Sequence, residues 1–210
     1  MKPEKWTPGN FWDLYRPQPG PAGRRAYQAQ RELLGKRNRQ ILDEWEVFRK
    51  FCQRARLGVE PADVTMLDPS SSTPPPPDLR CELASGPHFF ELGEILQQDA
   101  TQASAPPKGR RVVERGMPLV RIWGPLEKML TKKLNKGYDP EARPASLLLY
   151  YASSRSPWEF LQPLVAAKAA DIQARFERSG FDSMWLFDAT TGGILFCFSQ
   201  SLAPVINDPG

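Results

Sequence analysis

Apolar positions along the chain fall into alternating helix-like and strand-like periods. From Arg24 to Leu57 the pattern predicts a helix interrupted near Gly35, with helical residues over 37–57. Ile41, Trp45, Phe48 and Cys52 follow i, i+4, i+7, i+11 and form one apolar stripe, and Gly58 ends the run. Val64 to Leu67 reads as a short strand. Residues 79–84 and 88–95 read as a hairpin joined by Ser85-Gly86-Pro87. Leu119 to Lys136 predicts a helix whose regular part starts at Gly124-Pro125 and stops at Gly137. Ser146 to Tyr151 (SLLLYY) is a continuous apolar run, as expected of a strand covered on both faces. Pro157 to Arg178 predicts a long helix kinked at Pro163 and capped by Gly180. Ser183 to Asp188 and Gly193 to Ser199 form a last hairpin around Ala-Thr-Thr-Gly-Gly.

The element order is helix, strands, helix, strand, helix, strands. It predicts an α/β fold, a mixed sheet flanked by helices. Residues 1–22 read as a proline-rich arm carrying Trp6, Phe11, Trp12 and Tyr15, residues 23–203 as one α/β domain, and residues 204–210 as a tail. The aromatic residues of the arm dock on their own domain or offer a contact to a protein partner or to stacked bases.

Composition narrows the class. The chain has 210 residues, 40% of them hydrophobic, which suits a globular domain with a real core. The 22 prolines cluster in connectors such as SSSTPPPP. No apolar run is long enough to span a membrane, and MKPEKWTPGNFW lacks the apolar core of a secretory signal. Cys52, Cys81 and Cys197 are odd in number and lie in apolar runs. They read as buried thiols in a reducing cytoplasm rather than as disulfides or zinc ligands.

The net charge of +4 is unevenly spread. Segments 24–58 and 108–143 each hold ten Lys or Arg against four acids. Such segments suit a phosphate backbone, although a solvated helix face accounts for either one alone.

The remaining signal is a set of acids in apolar surroundings. Glu91 stands in FFELGEI, where an unpartnered carboxylate is costly. With Gly86 at the centre of the hairpin, Glu91 is expected opposite Cys81, and Asp78 near Gly93 and Glu94 at one end of the hairpin. Two carboxylates held close together repel unless a cation or a proton lies between them, and a hard divalent ion with oxygen ligands suits such a pair. The competing account has Asp78 capping a turn and Glu91 paired with a basic residue.

Pro77-Asp78, twelve residues, then Glu91-Leu92-Gly93 resembles the PD-(D/E)XK, or restriction-endonuclease-like, superfamily. The resemblance covers roughly residues 37–151 and implies a nuclease core extended by a C-terminal helix and hairpin. It implies that Asp78 and Glu91 hold Mg²⁺ or Mn²⁺, with Glu94 supporting them. It also implies a lysine two positions after the second acid, where this chain has Gly93. Some members carry that basic residue on the following helix, which here reads GPLEKMLTKKLNKGY. A step of about 100° per residue brings Lys133 near the centre of the face made by Leu126, Met129, Leu130 and Leu134. Lys132 and Lys136 fall on its flank. Glu44 matches the acid that some members place on the first helix.

The activity implied is metal-dependent cleavage of phosphodiester bonds in nucleic acid, DNA first, by Asp78, Glu91 and Lys133. The alternative is a catalytically inactive module of the same fold that binds nucleic acid or serves protein assembly. The single histidine, His88, and the lack of a G-x-S-x-G elbow leave no Ser-His-Asp triad, and there is no P-loop.

Overall fold

The structure is a computed structural model that describes residues 21, 36–59, 63–67, 72–96, 119–152, 157–200 and 205–206. Its elements, among the described residues, are α1 (Lys36–Ala55), β1 (Val64–Met66), β2 (Leu79–Leu83), β3 (Gly86–Glu94), α2 (Leu119–Leu134), β4 (Ala145–Tyr151), α3 (Trp158–Ala167), α4 (Ala169–Ser179), β5 (Ser183–Asp188), β6 (Gly193–Ser199) and β7 (Val205–Ile206).

The strands are hydrogen-bonded in chain order, β1 to β7. Pairs β1/β2, β2/β3, β5/β6 and β6/β7 are antiparallel. Between β3 and β4, Phe89 N donates to Pro144 O at 2.9 Å and Ile95 N to Tyr150 O at 2.8 Å. Both numbers advance together, which only a parallel pair allows. The sheet is therefore mixed, and the chain is α/β, as the element order predicts.

The chain forms two compact units, one of Met1–Leu92 with Gly137–Ser146, the other of Gly93–Lys136 with Leu147–Gly210. In the first, α1 buries Leu42, Trp45, Phe48, Phe51 and Cys52. The rings of Phe48 and Phe51 lie 5.0 and 6.1 Å from that of Phe90 on β3. Of the expected stripe, Trp45, Phe48 and Cys52 are buried and Ile41 is half-buried, while Leu42 and Phe51 widen it on both sides.

In the second unit, α2 buries Leu126, Leu130 and Leu134. Arg175 of α4 ties down its polar side, with Nη1 2.9 Å from Glu127 Oε1 and Nη2 donating to Thr131 Oγ1 at 2.9 Å. The β5/β6 hairpin buries Met184, Leu186, Phe187, Phe196 and Phe198. All seven residues of β4 are buried, which explains why its sequence shows no alternation.

Three expectations need correction. The β2/β3 turn is Ala84-Ser85, and Gly86 and Pro87 already belong to β3. The long helix is two helices that break at Lys168 (φ −105°, ψ 6°), while Pro163 is carried inside α3. Ala166, Ala167 and Lys168 are all exposed, so no core contact holds the ladder straight there. The second helix starts at Leu119 as expected, but its regular part does not wait for Gly124-Pro125, since Pro125 lies inside it. Beyond these, Val205–Ile206, in the stretch read as a tail, pairs with β6 through Phe196↔Ile206 and Cys197↔Val205.

Cys52 and Cys81 are buried free thiols, and Cys197 is a half-buried one. Burial first, then the charges of Glu82 and Asp63, pushes the Cys81 thiol up to about 12, which leaves it inert at neutral pH. The aromatic residues of the arm, and residues 24–35 and 108–118 of the basic segments, lie outside the described residues.

The tight turn depends on Gly86, whose φ is +111°. An added Cβ there meets nothing within 4 Å, so the cost of a side chain is one of backbone conformation alone. Gly86→Ala is expected to destabilise the protein by roughly 1–2 kcal/mol, read as a lower urea midpoint with an unchanged slope. An unchanged midpoint would show that the turn tolerates another φ.

Candidate functional site

The register of β2 and β3 sets the acidic pair. Leu79 pairs with Phe90, Cys81 with His88, and Leu83 with Gly86. One further step of this ladder brings Asp78 opposite Glu91. Glu91 therefore faces Asp78 and not Cys81, a two-residue-turn register replacing the expected one centred on Gly86. Residues directly opposite in an antiparallel pair share a face, with Cβ atoms about 4.5–5.5 Å apart. Leu79 and Phe90 take the α1 side, so Asp78 and Glu91 take the other.

Both acids are held from behind. Asp78 Oδ2 accepts a hydrogen bond of 2.7 Å from the Leu92 amide, which ties the start of β2 to the strand carrying Glu91. Glu91 is 1% exposed and belongs to a run of four buried residues, Phe90 to Gly93. Arg80, on the same face of β2 as Asp78, spends its charge on Glu82 at 2.6 Å.

Sequence patterning missed a third group. Tyr138 follows the end of α2, and the next residue anchors the loop, with Asp139 N donating to Pro75 O at 3.1 Å. The loop is closed on itself by Ala142 N to Asp139 O and by Glu141 N to Asp139 Oδ1. It is thus pinned to the prolines that lead into Asp78. Burial raises the Tyr138 pKa well above the usual phenol value, and Glu91, through its charge and hydrogen bonding, and then the charge of Asp78 raise it further. The phenol accordingly stays protonated beside the two carboxylates. Its only sequence signal is its place between a helix stop and a buried strand, which no motif captures.

The other acids are not gathered with this pair. Strand alternation puts Glu94 on the opposite face of β3 from Glu91, and it is half-buried. Glu44 lies on α1, which covers the Phe90 face, and its Oε1 accepts from Gln40 Nε2 at 2.8 Å. Among the described residues no group of three or more His, Cys, Asp or Glu is placed to hold a metal ion. His88 shares the Phe90 face, with its ring 4.9 Å from Phe90 and Nε2 2.7 Å from the hydroxyl of buried Ser146.

In the second unit, α2 presents its lysines differently. Lys132 is exposed, whereas Lys133 and Lys136 are half-buried. A Cβ added to Gly93 would lie 3.4 Å from Lys133 Cε, 3.3 Å from Met129 Sδ and 2.8 Å from Leu149 Cδ2. The Lys133 stem therefore runs over Gly93, in the space that a side chain at 93 would fill. Along β3 itself, Gly93 shares the face of Glu91.

Comparison with known proteins finds no matching family model, no matching curated protein and no matching solved structure. Among the described residues no helix is long and apolar enough to cross a membrane.

Gly93 is the most constrained of these positions. Gly93→Ala is expected to cost roughly 1–3 kcal/mol, because Leu149 must move, and Gly93→Lys is expected to cost more. Urea unfolding of both variants checks this. A Gly93→Lys variant as stable as the parent would mean that the space over β3 opens freely.

Proposed function

We propose that this chain is a divalent-metal-dependent phosphodiesterase acting on nucleic acid, with DNA as its substrate, and that it is a variant PD-(D/E)XK nuclease. The observation that carries this reading is the cross-strand pair of Asp78 and Glu91, one of them buried. Two carboxylates suit Mg²⁺ or Mn²⁺, since Mg²⁺ is commonly bound through one or two carboxylates, with water and substrate phosphate completing its shell. Asp78 and Glu91 would hold the ion. When bound, such an ion polarises a phosphoryl oxygen and lowers the pKa of a water molecule.

The chain's own groups supply the rest. The Leu92 amide fixes Asp78 Oδ2, so the carboxylate does not reorient to meet a cation. Lys133 takes the part that the superfamily gives to the lysine after the second acid, steadying the attacking water or the charge that develops on phosphate. Exposed Lys128 and Lys132 offer phosphate contacts that carry no sequence information.

A second reading is favoured by Gly93. A lysine at that position would have to displace the Leu149 side chain, and the residue the superfamily usually places there is absent. The chain would then be a non-catalytic member of the fold, retained to bind nucleic acid or a protein partner.

Nuclease assays with Mg²⁺ and Mn²⁺ on single- and double-stranded DNA and RNA separate the two. Cleavage is expected to stop with EDTA and in Asp78→Ala and Glu91→Ala. Lys133→Ala is expected to lower the rate by roughly 10²-fold or more, and Lys132→Ala by much less. Activity that persists in EDTA removes the metal. Cation binding without cleavage of any substrate makes the second reading the right one.

Association with DNA is expected under either reading that keeps nucleic acid as the ligand. Its affinity should fall steeply between about 50 and 200 mM salt. Fluorescence anisotropy with labelled DNA measures this, and salt-independent binding would count against a phosphate-led interface.

A further inference from the structure

The only acid of α2 is Glu127, and the same helix holds Lys128, Lys132 and Lys133. Lys128 and Lys132 are exposed one turn apart, a spacing at which like charges repel. A helix so short of acids would be expected to use its single carboxylate to relieve them. It does not. Among the described residues no acid comes within ion-pair distance of either lysine.

Glu127 is taken by α4 instead. Arg175 Nη1 lies 2.9 Å from Glu127 Oε1, and Nη2 donates to Thr131 Oγ1 at 2.9 Å. The Thr131 hydroxyl donates in turn to Glu127 Oε1 at 3.4 Å, which closes the three groups into a ring. A second acid, Asp171 of α4, stands 3.7 Å from Arg175 Nη1. Side-chain exposure falls from 37% at Glu127 to 15% at Arg175, so the guanidinium is the inner partner and is poorly placed to meet a ligand itself. The charge that it cancels is the outer one, on the helix of the lysines. Unit charges about 8 Å apart in water interact at close to RT, and low salt leaves that interaction largely unscreened. An uncancelled Glu127 would therefore weaken the hold of Lys128 and Lys132 on any phosphate drawn to them.

We infer that Arg175 is a positioning residue for a phosphate-binding face on α2: by cancelling Glu127 it leaves Lys128 and Lys132 to hold the backbone of a nucleic acid. This rests on the nucleic-acid reading above, does not depend on the metal, and extends that reading to α4, a helix outside the stretch that resembles the superfamily. The arginine acts through Glu127.

The test is fluorescence anisotropy with labelled double-stranded DNA at about 50 mM salt and along a salt series, with the melting temperature of every variant measured alongside. Lys128→Gln/Lys132→Gln is expected to lower the steepness of log K against log salt by about 2, roughly one for each lost phosphate contact. Arg175→Gln uncovers Glu127 and is expected to weaken binding by roughly two- to fivefold. Glu127→Gln keeps an acceptor for Arg175 but removes the charge, and is expected to tighten binding by a similar factor. The deciding variant is Glu127→Gln/Arg175→Gln, which removes both charges and is expected to restore the affinity of the parent.

A double variant that binds as weakly as Arg175→Gln would overturn the inference, because Arg175 would then be touching DNA or merely holding the fold. So would equal affinity in Glu127→Gln and the parent, or an unchanged salt dependence in Lys128→Gln/Lys132→Gln. A parent protein that binds no DNA at low salt would overturn the nucleic-acid reading itself, and the inference with it.

Discussion

The register between β2 and β3 is the constraint on which the candidate site depends. In a two-stranded ladder a slip of one residue turns every side chain to the other face. Here the slip is forbidden from the α1 side, because Leu79, Cys81 and Phe90 must face Phe48 and Phe51. Each large apolar side chain buried there contributes roughly 1.5–3 kcal/mol. Two carboxylates about 5 Å apart repel by about 3 kcal/mol at an effective dielectric near 20. The core therefore wins, and Asp78 and Glu91 are held on one face at the expense of their mutual repulsion. Such a pair is an electrostatic cost that a hydrogen-bond donor or a cation relieves.

How far the sequence foretold this differs from element to element. Strands β5 and β6 begin and end at the expected residues, because each is a short apolar run and glycine marks the turn between them. β4 was legible for the opposite reason, since an unbroken apolar run between polar flanks has few other uses. The hairpin register was not legible. Ser-Gly-Pro is the more conspicuous turn sequence, yet the chain turns one residue earlier and uses the positive φ of Gly86 at the first strand position. Composition identifies the residues that favour a turn, while the register depends on which of them takes the left-handed conformation. Tyr138 was out of reach for a related reason, because its loop is tied to the prolines before Asp78 by the Asp139–Pro75 hydrogen bond and not by any spacing along the chain.

Gly93 shows how one position bears on both readings of function. Under the proposed nuclease reading, its missing side chain would mark a lost catalytic lysine. In this chain the space is not vacant, since Leu149, Met129 and the Lys133 stem converge on it. Any larger residue there must displace the ends of these side chains. The absence of lysine at 93 therefore has a packing side as well as a chemical one. What distinguishes the two is whether Lys133, half-buried among apolar neighbours, is kept there by chemistry or by the packing of its stem.

The uneven charge of the chain bears on the same question. A phosphodiester is an anion, and carboxylates repel it. Under the proposed function, basic segments such as 108–143 would raise the local concentration of a nucleic acid, but they would act on its backbone and not remove the barrier at the acids themselves. Only a positive charge between carboxylate and phosphate does that, and a hard divalent ion does so while keeping oxygen ligands on both sides. Under the proposed function, a cation at the acidic pair would reconcile carboxylates that repel phosphate with lysines that attract it, and the two features would then call for the same chemistry.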